Sequence, residues 1–206
     1  MNASKLKKQL LTCALPLLAI LCLGWADSWE ALRAGAGEIR SVQAEFVQEK
    51  HLPILAKPLV SSGVFYYQGP ESLRWEYRQP VKSVLIMHAG RIRRFLDGPS
   101  GFAEERGAGI DAMQVVMQEI SHWLAGRFDE STIFEARLES GGRIELTPRE
   151  PSFKKVIERI VLTLADQPGM IDNVMIYERK DAFTRMTFSQ LEINRSIDGS
   201  LFQKVQ

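Results

Sequence analysis

Between residues 41 and 193 the spacing of apolar positions changes period twice. Val42, Ala44 and Phe46 alternate with Ser41, Gln43 and Glu45, the two-residue rhythm of a strand buried on one face. Residues 59–68 are rich in Val, Phe and Tyr and stop at Gly69-Pro70. In 72–78, Leu73, Trp75 and Tyr77 take one face while Arg74 and Glu76 take the other. Residues 82–88 and 91–96 flank Ala89-Gly90, a pair suited to a tight hairpin. The period then lengthens. After a glycine-rich, acidic stretch at 97–109, which reads as a loop, Met113, Val116, Met117, Ile120 and Leu124 fall on one stripe of a helix over 110–125, ended by Gly126. The short period returns at 132–138, 143–147, 156–165, 170–179 and 183–193, with Ser140-Gly141-Gly142 and Gln167-Pro168-Gly169 as turns. A further short helix is expected over 28–40, with Trp29, Leu32 and Ile39 as its apolar contacts.

About ten strands and two helices are predicted, and a sheet of that size must curl, split or close. No helix of crossover length separates most of the strands, so an antiparallel meander is expected rather than βαβ units. The fold class is mainly β (α+β): a curved antiparallel sheet forming a half-open, barrel-like cup with a helical lid.

The first 26 residues change the inventory. Lys5, Lys7 and Lys8 precede an apolar run from Leu10 to Leu23, and Gly24-Trp25-Ala26 offers small residues for cleavage. This is the pattern of a cleaved secretory signal peptide over 1–26, leaving 27–206 as a single domain. Cys13 and Cys22 leave with it, so the remaining chain has no disulfide or thiolate chemistry and tolerates an oxidising compartment. The formal charge of +1 becomes −2, with 23 basic and 25 acidic residues once the three lysines are gone. No nucleic-acid partner is expected from that balance.

Candidate chemistry is sparse. His51, His88 and His122 share no ligand spacing with carboxylates, so neither a metal nor another cofactor is predicted. No nucleophile elbow, phosphate-cradling loop or dinucleotide fingerprint occurs, and no enzymatic activity is expected. The apolar faces are more informative. Phe46, Phe65, Tyr67, Leu73, Trp75, Tyr77, Val84 and Ile86 are the candidate lining of an apolar binding face, although packing into an ordinary core fits the same pattern. Met113, Val116, Met117, Ile120 and Leu124 would form a movable cover, since methionine adapts to irregular partners. Arg91, Arg93 and Arg94 are the densest positive cluster, readable either as a docking patch for acidic headgroups or an acidic protein, or as charges that discourage edge pairing.

Several stretches resemble one family. Residues 42–48, Val-Gln-Ala-Glu-Phe-Val-Gln, follow a short helix; Gly63-x-Phe65 precedes Pro70-x-x-Leu73-Arg74-Trp75-Glu76-Tyr77-x-x-Pro80. Leu146-Thr147-Pro148, Ile160-x-Leu162, Phe188-x-x-Leu191-x-Ile193 and Leu201-Phe202 come later in the same order. Together they are similar to the periplasmic outer-membrane lipoprotein carrier (LolA) family over residues 28–202. The resemblance implies a half-open β-barrel whose concave apolar face is lidded by helices, with Leu73 and Trp75 inward-facing and the 110–125 helix as lid. It implies a periplasmic monomer that holds the acyl chains of lipoproteins or lipids, taking them from an inner-membrane transporter and passing them to an outer-membrane acceptor. Two departures stand out. Gly69 occupies the place where the family's lid-latching arginine precedes the turn proline, and Arg91-Ile92-Arg93-Arg94-Phe95 replaces a strand that usually holds Trp and Tyr. A paralogue carrying a non-protein acylated product, or an envelope module that senses lipoprotein or lipid, are the alternative readings.

Overall fold

The computed structural model describes residues 28–105, 109–167, 169–178 and 181–205, with the backbone alone at 109–115. The expected signal peptide lies outside them. Eleven strands form one antiparallel sheet: β1 (Ser41–His51), β2 (Leu59–Gln68), β3 (Ser72–Gln79), β4 (Ser83–His88), β5 (Arg91–Gly98), β6 (Gly101–Glu105), β7 (Phe134–Glu139), β8 (Arg143–Pro148), β9 (Ile157–Leu164), β10 (Ile171–Glu178) and β11 (Phe183–Ile193). Their order is β6-β5-β4-β3-β2-β1-β11-β10-β9-β8-β7, so the sheet is curved but unclosed. Two meanders meet where β1 pairs with β11, which leaves β6 and β7 as the two edges.

That topology explains the helix between them. Helix α2 (Gly109–Leu124) lies in the chain between the two edge strands. Sixteen residues rise about 24 Å at 1.5 Å each, and the apolar stripe of the helix is matched to the concave face it crosses. Gly126, at φ +69°, ends it. A Cβ there would meet the Leu32 carbonyl and the Arg33 Cα at 2.8 and 2.9 Å, so only glycine lets helix α1 (Trp29–Gly37) pack so closely. Arg33 then ties α1 to the 3₁₀ turn Phe128–Glu130 through Asp129, with Nη2–O distances of 2.6 and 2.7 Å. Ser28 caps α1 by accepting from the Ala31 N–H at 3.2 Å.

The main core lies on the concave face, from Leu32 and Phe46 to Leu146 and Leu162. Gly63 opposes Phe46 in the sheet, and a Cβ at 63 would overlap the Glu76 carbonyl and press on the Phe46 ring. Phe46 uses that space to pack against Trp75 and Tyr77, both with ring centroids at 5.1 Å. A second, smaller cluster sits on the convex face. There the C-terminal 3₁₀ turn Gly199–Phe202 lays Phe202, 1% exposed, onto Val84 and Ile86.

Three expectations need correction. The stretch at 97–109 is not all loop: β5 runs to Gly98 and β6 pairs with it. This strand lies at the sheet edge with mostly exposed residues, so no alternation marked it, and Arg94 offsets its acidity by an ion pair with Glu105 at 2.8 Å. A third helix, α3 (Pro151–Lys154), precedes β9. Finally, Arg91, Arg93 and Arg94 do not make one patch, because successive strand residues face opposite ways. Arg93 donates to the Gln203 carbonyl at 3.0 Å on the convex side, whereas Arg94 lines the concave side.

Candidate functional site

Between α2 and the concave face is a cavity of about 650 Å³. That is within the roughly 300–1,000 Å³ of typical ligand pockets. Strand register decides which residues reach it. In β3, Trp75 pairs with Leu85 and Tyr77 with Ser83, so Leu85 and Ser83 share the concave face. Arg74 pairs with Ile86 and Glu76 with Val84, which places those four on the other side. Val84 and Ile86, expected in the lining, are therefore excluded from it and serve the convex cluster under Phe202.

Of the remaining expected residues, Phe65, Trp75 and Tyr77 line the cavity. Phe46, Tyr67 and Leu73 are buried in the same core but behind its wall. On α2, Met117, Ile120 and Leu124 line it, and so does Val116, although 51% exposed at the rim. The side chain of Met113 lies outside the described residues. Sequence reasoning missed the whole opposite wall, to which Phe134, Ile160, Val174, Ile176, Met186 and Phe188 contribute. The signal was present. The alternations in 171–178 and 183–193 put Val174, Ile176, Met186 and Phe188 on one face, and the β1–β11 pairing Phe46↔Phe188 carries that face across the sheet.

Polar groups are few and gathered. Gln48 and Ser61 are cross-strand partners, and Tyr77 donates to Gln48 Oε1 at 2.8 Å. Burial pushes the Tyr77 phenol above its ordinary pKa, so it remains a donor at neutral pH. With Ser83 and Arg94 these groups mark one end of the cavity, where Val81 is 64% exposed. Among the described residues, three further polar atoms of cavity-lining side chains are buried without a hydrogen-bond partner: Glu119 Oε2, Trp75 Nε1 and Trp123 Nε1.

Arg74 takes no part in the cavity. That residue, 5% exposed, faces away from the cavity and donates to the Leu201 and Lys204 carbonyls at 2.9 and 3.0 Å. Its Nη2 also meets Glu76 at 2.7 Å. Burial opposes ionisation of Glu76, but hydrogen bonds from Arg74 and Arg78 and their positive charge outweigh it and hold the carboxyl below its usual range. Among the described residues, no cluster of His, Cys, Asp and Glu could hold a metal, and no helix is long and apolar enough to cross a membrane.

Residues 37–205 match the family described as outer membrane lipoprotein carrier protein LolA. The chain belongs to that family. It is 25% identical over 200 residues to the outer-membrane lipoprotein carrier protein of Methylococcus capsulatus strain Bath, with 91% of this chain and 90% of that protein covered. Among solved structures it is similar to a chain of the Pseudomonas aeruginosa MucA/MucB complex (TM-score 0.50, 16% identity), covering 87% of this chain and 61% of that one. A LolA superfamily protein from Nitrosomonas europaea aligns over 86% of this chain and 98% of its own (TM-score 0.45, 14% identity). The unclosed, curved antiparallel sheet is the LolA-like fold, and the LolA family is one of carriers rather than enzymes.

Proposed function

We propose that the protein is a periplasmic carrier that holds acyl chains of lipoproteins, or of another acylated lipid, in the cavity beneath α2. It would receive them at the inner membrane from a transporter and surrender them to an outer-membrane acceptor, acting as a monomer. The observation that carries this reading is the hollow itself, walled by aromatic and aliphatic side chains from both meanders and roofed by one helix. An acyl chain in water costs about 0.8 kcal/mol per CH₂, on the order of 12 kcal/mol for a chain of about 16 carbons. Crossing an aqueous compartment therefore requires such an enclosure. Release requires a competitor for the same surface, and the apolar stripe of α2 is suited to that part because it can close on the sheet when cargo leaves.

The test is displacement of an acyl-chain fluorophore, with Leu85→Glu as the variant. Leu85 lines the cavity and is only partly buried, so a charge there is expected to lower affinity at least tenfold while circular dichroism is preserved. Trp75 is less suitable, since it packs against Phe46, Phe65 and Phe188 and its loss threatens the fold. Unchanged binding by a folded Leu85→Glu protein would count against the cavity as the acyl site. A disulfide pinning α2 to the sheet should block uptake; a pinned protein that loads normally removes the helix from the gating role.

A further inference from the structure

The apolar cavity contains one costly feature that holding a plain hydrocarbon does not explain. Glu119 is 4% exposed, lines the cavity, and leaves Oε2 with no hydrogen-bond partner among the described residues. Trp123, one helical turn further along α2 and 7% exposed, leaves its indole N–H equally unpartnered on the same cavity. Residues four apart on a helix are surface neighbours, so the lid presents an acceptor and a donor side by side. Buried polar atoms are almost always paired, and each exception asks for an explanation. A secondary amide answers both at once, with an N–H for the carboxylate and a C=O for the indole.

We propose that Glu119 and Trp123 form a recognition site for a secondary amide carried next to the acyl chain of the cargo. This rests on the acyl reading of the cavity and narrows it from acyl lipids in general to N-acylated ones. An ester of equal length satisfies the indole but leaves the carboxylate bare, and the cavity discriminates between them through that difference.

The experiment is competition against an acyl fluorophore by N-methylpalmitamide, methyl palmitate and hexadecylamine, using the full folded chain. The amide is expected to compete about tenfold better than the ester, the scale of one hydrogen bond to a charged group. Glu119→Leu should bring the two within about twofold and raise the melting temperature of the unliganded protein by removing an uncompensated buried carboxylate. Trp123→Phe should weaken amide and ester alike, because both offer the carbonyl. Equal binding of amide and ester by the unmutated protein overturns the proposal, as does an amide preference that survives Glu119→Leu or a loss of stability in that variant. A Glu119-dependent advantage for hexadecylamine instead of the amide overturns the amide assignment. Binding of no probe at all removes the acyl reading as well, whereas equal binding of amide and ester removes this inference alone.

Discussion

Strand β4 is apolar on both faces, yet the two faces have opposite fates. On the convex side Phe202 fills the space over Val84 and Ile86, and the arginines at 74 and 93 hold the backbone carbonyls of residues 201–204 against the sheet. On the concave side Trp75, Leu85 and Tyr77 look into a space of about 650 Å³. The same residue types therefore serve as core where the chain supplies its own plug and as binding wall where it does not. Composition cannot tell these apart; coverage can.

The contrast can be broken or sharpened by substitution. The largest effect is expected from Phe46→Ala, behind the cavity wall, at about 3–5 kcal/mol of stability in a urea titration. Its two aromatic neighbours have nothing to replace it. Phe202→Ala should come next, near 3 kcal/mol, because the C-terminal segment can settle partly into the vacated space. Faster amide exchange should then be confined to that segment and β3–β5. A third change should be felt only in acid. Glu76 is held below the usual glutamate value of 4.5 in the folded state, so its contribution is complete above that value and disappears as pH falls through the depressed one. The unfolding midpoint of the native protein should drop in that window, and Glu76→Gln should flatten the dependence. Ser83→Leu, which puts apolar volume into the hollow, should change stability by no more than about 1 kcal/mol in either direction while reducing acyl uptake, in contrast to the about 1–3 kcal/mol cost of overfilling a packed core. The smallest effect belongs to Arg33→Ala, below about 1 kcal/mol, since its ion pair with Asp129 is part-exposed.

Much of the fold was legible in the chain because its strands alternate cleanly. Residues 59–68 and 183–193 form the strands that their patterning predicts. The failures share a cause. Ser83-Val84-Leu85-Ile86-Met87 is apolar at every position but the first, so period alone could not choose between Val84 and Leu85. The pairing with β3 makes that choice. The edge strand β6 has no buried face to impose a rhythm. The opposite wall was overlooked not for lack of pattern but because its neighbour in space, β1, lies some 140 residues away in sequence, in register with β11. Likewise Leu201-Phe202 could be matched to a family motif without revealing that it seals the convex face, a fact that depends on Arg74 reaching the carbonyls of Leu201 and Lys204 and Arg93 those of Phe202 and Gln203.

The position of α2 in the chain limits how the molecule can open. It is spliced between the outermost strands of two opposite rims, so it cannot swing free as a flap hinged at one side does. The helix that roofs the hollow is therefore also the covalent strap by which the chain passes from the rim of one meander to the rim of the other.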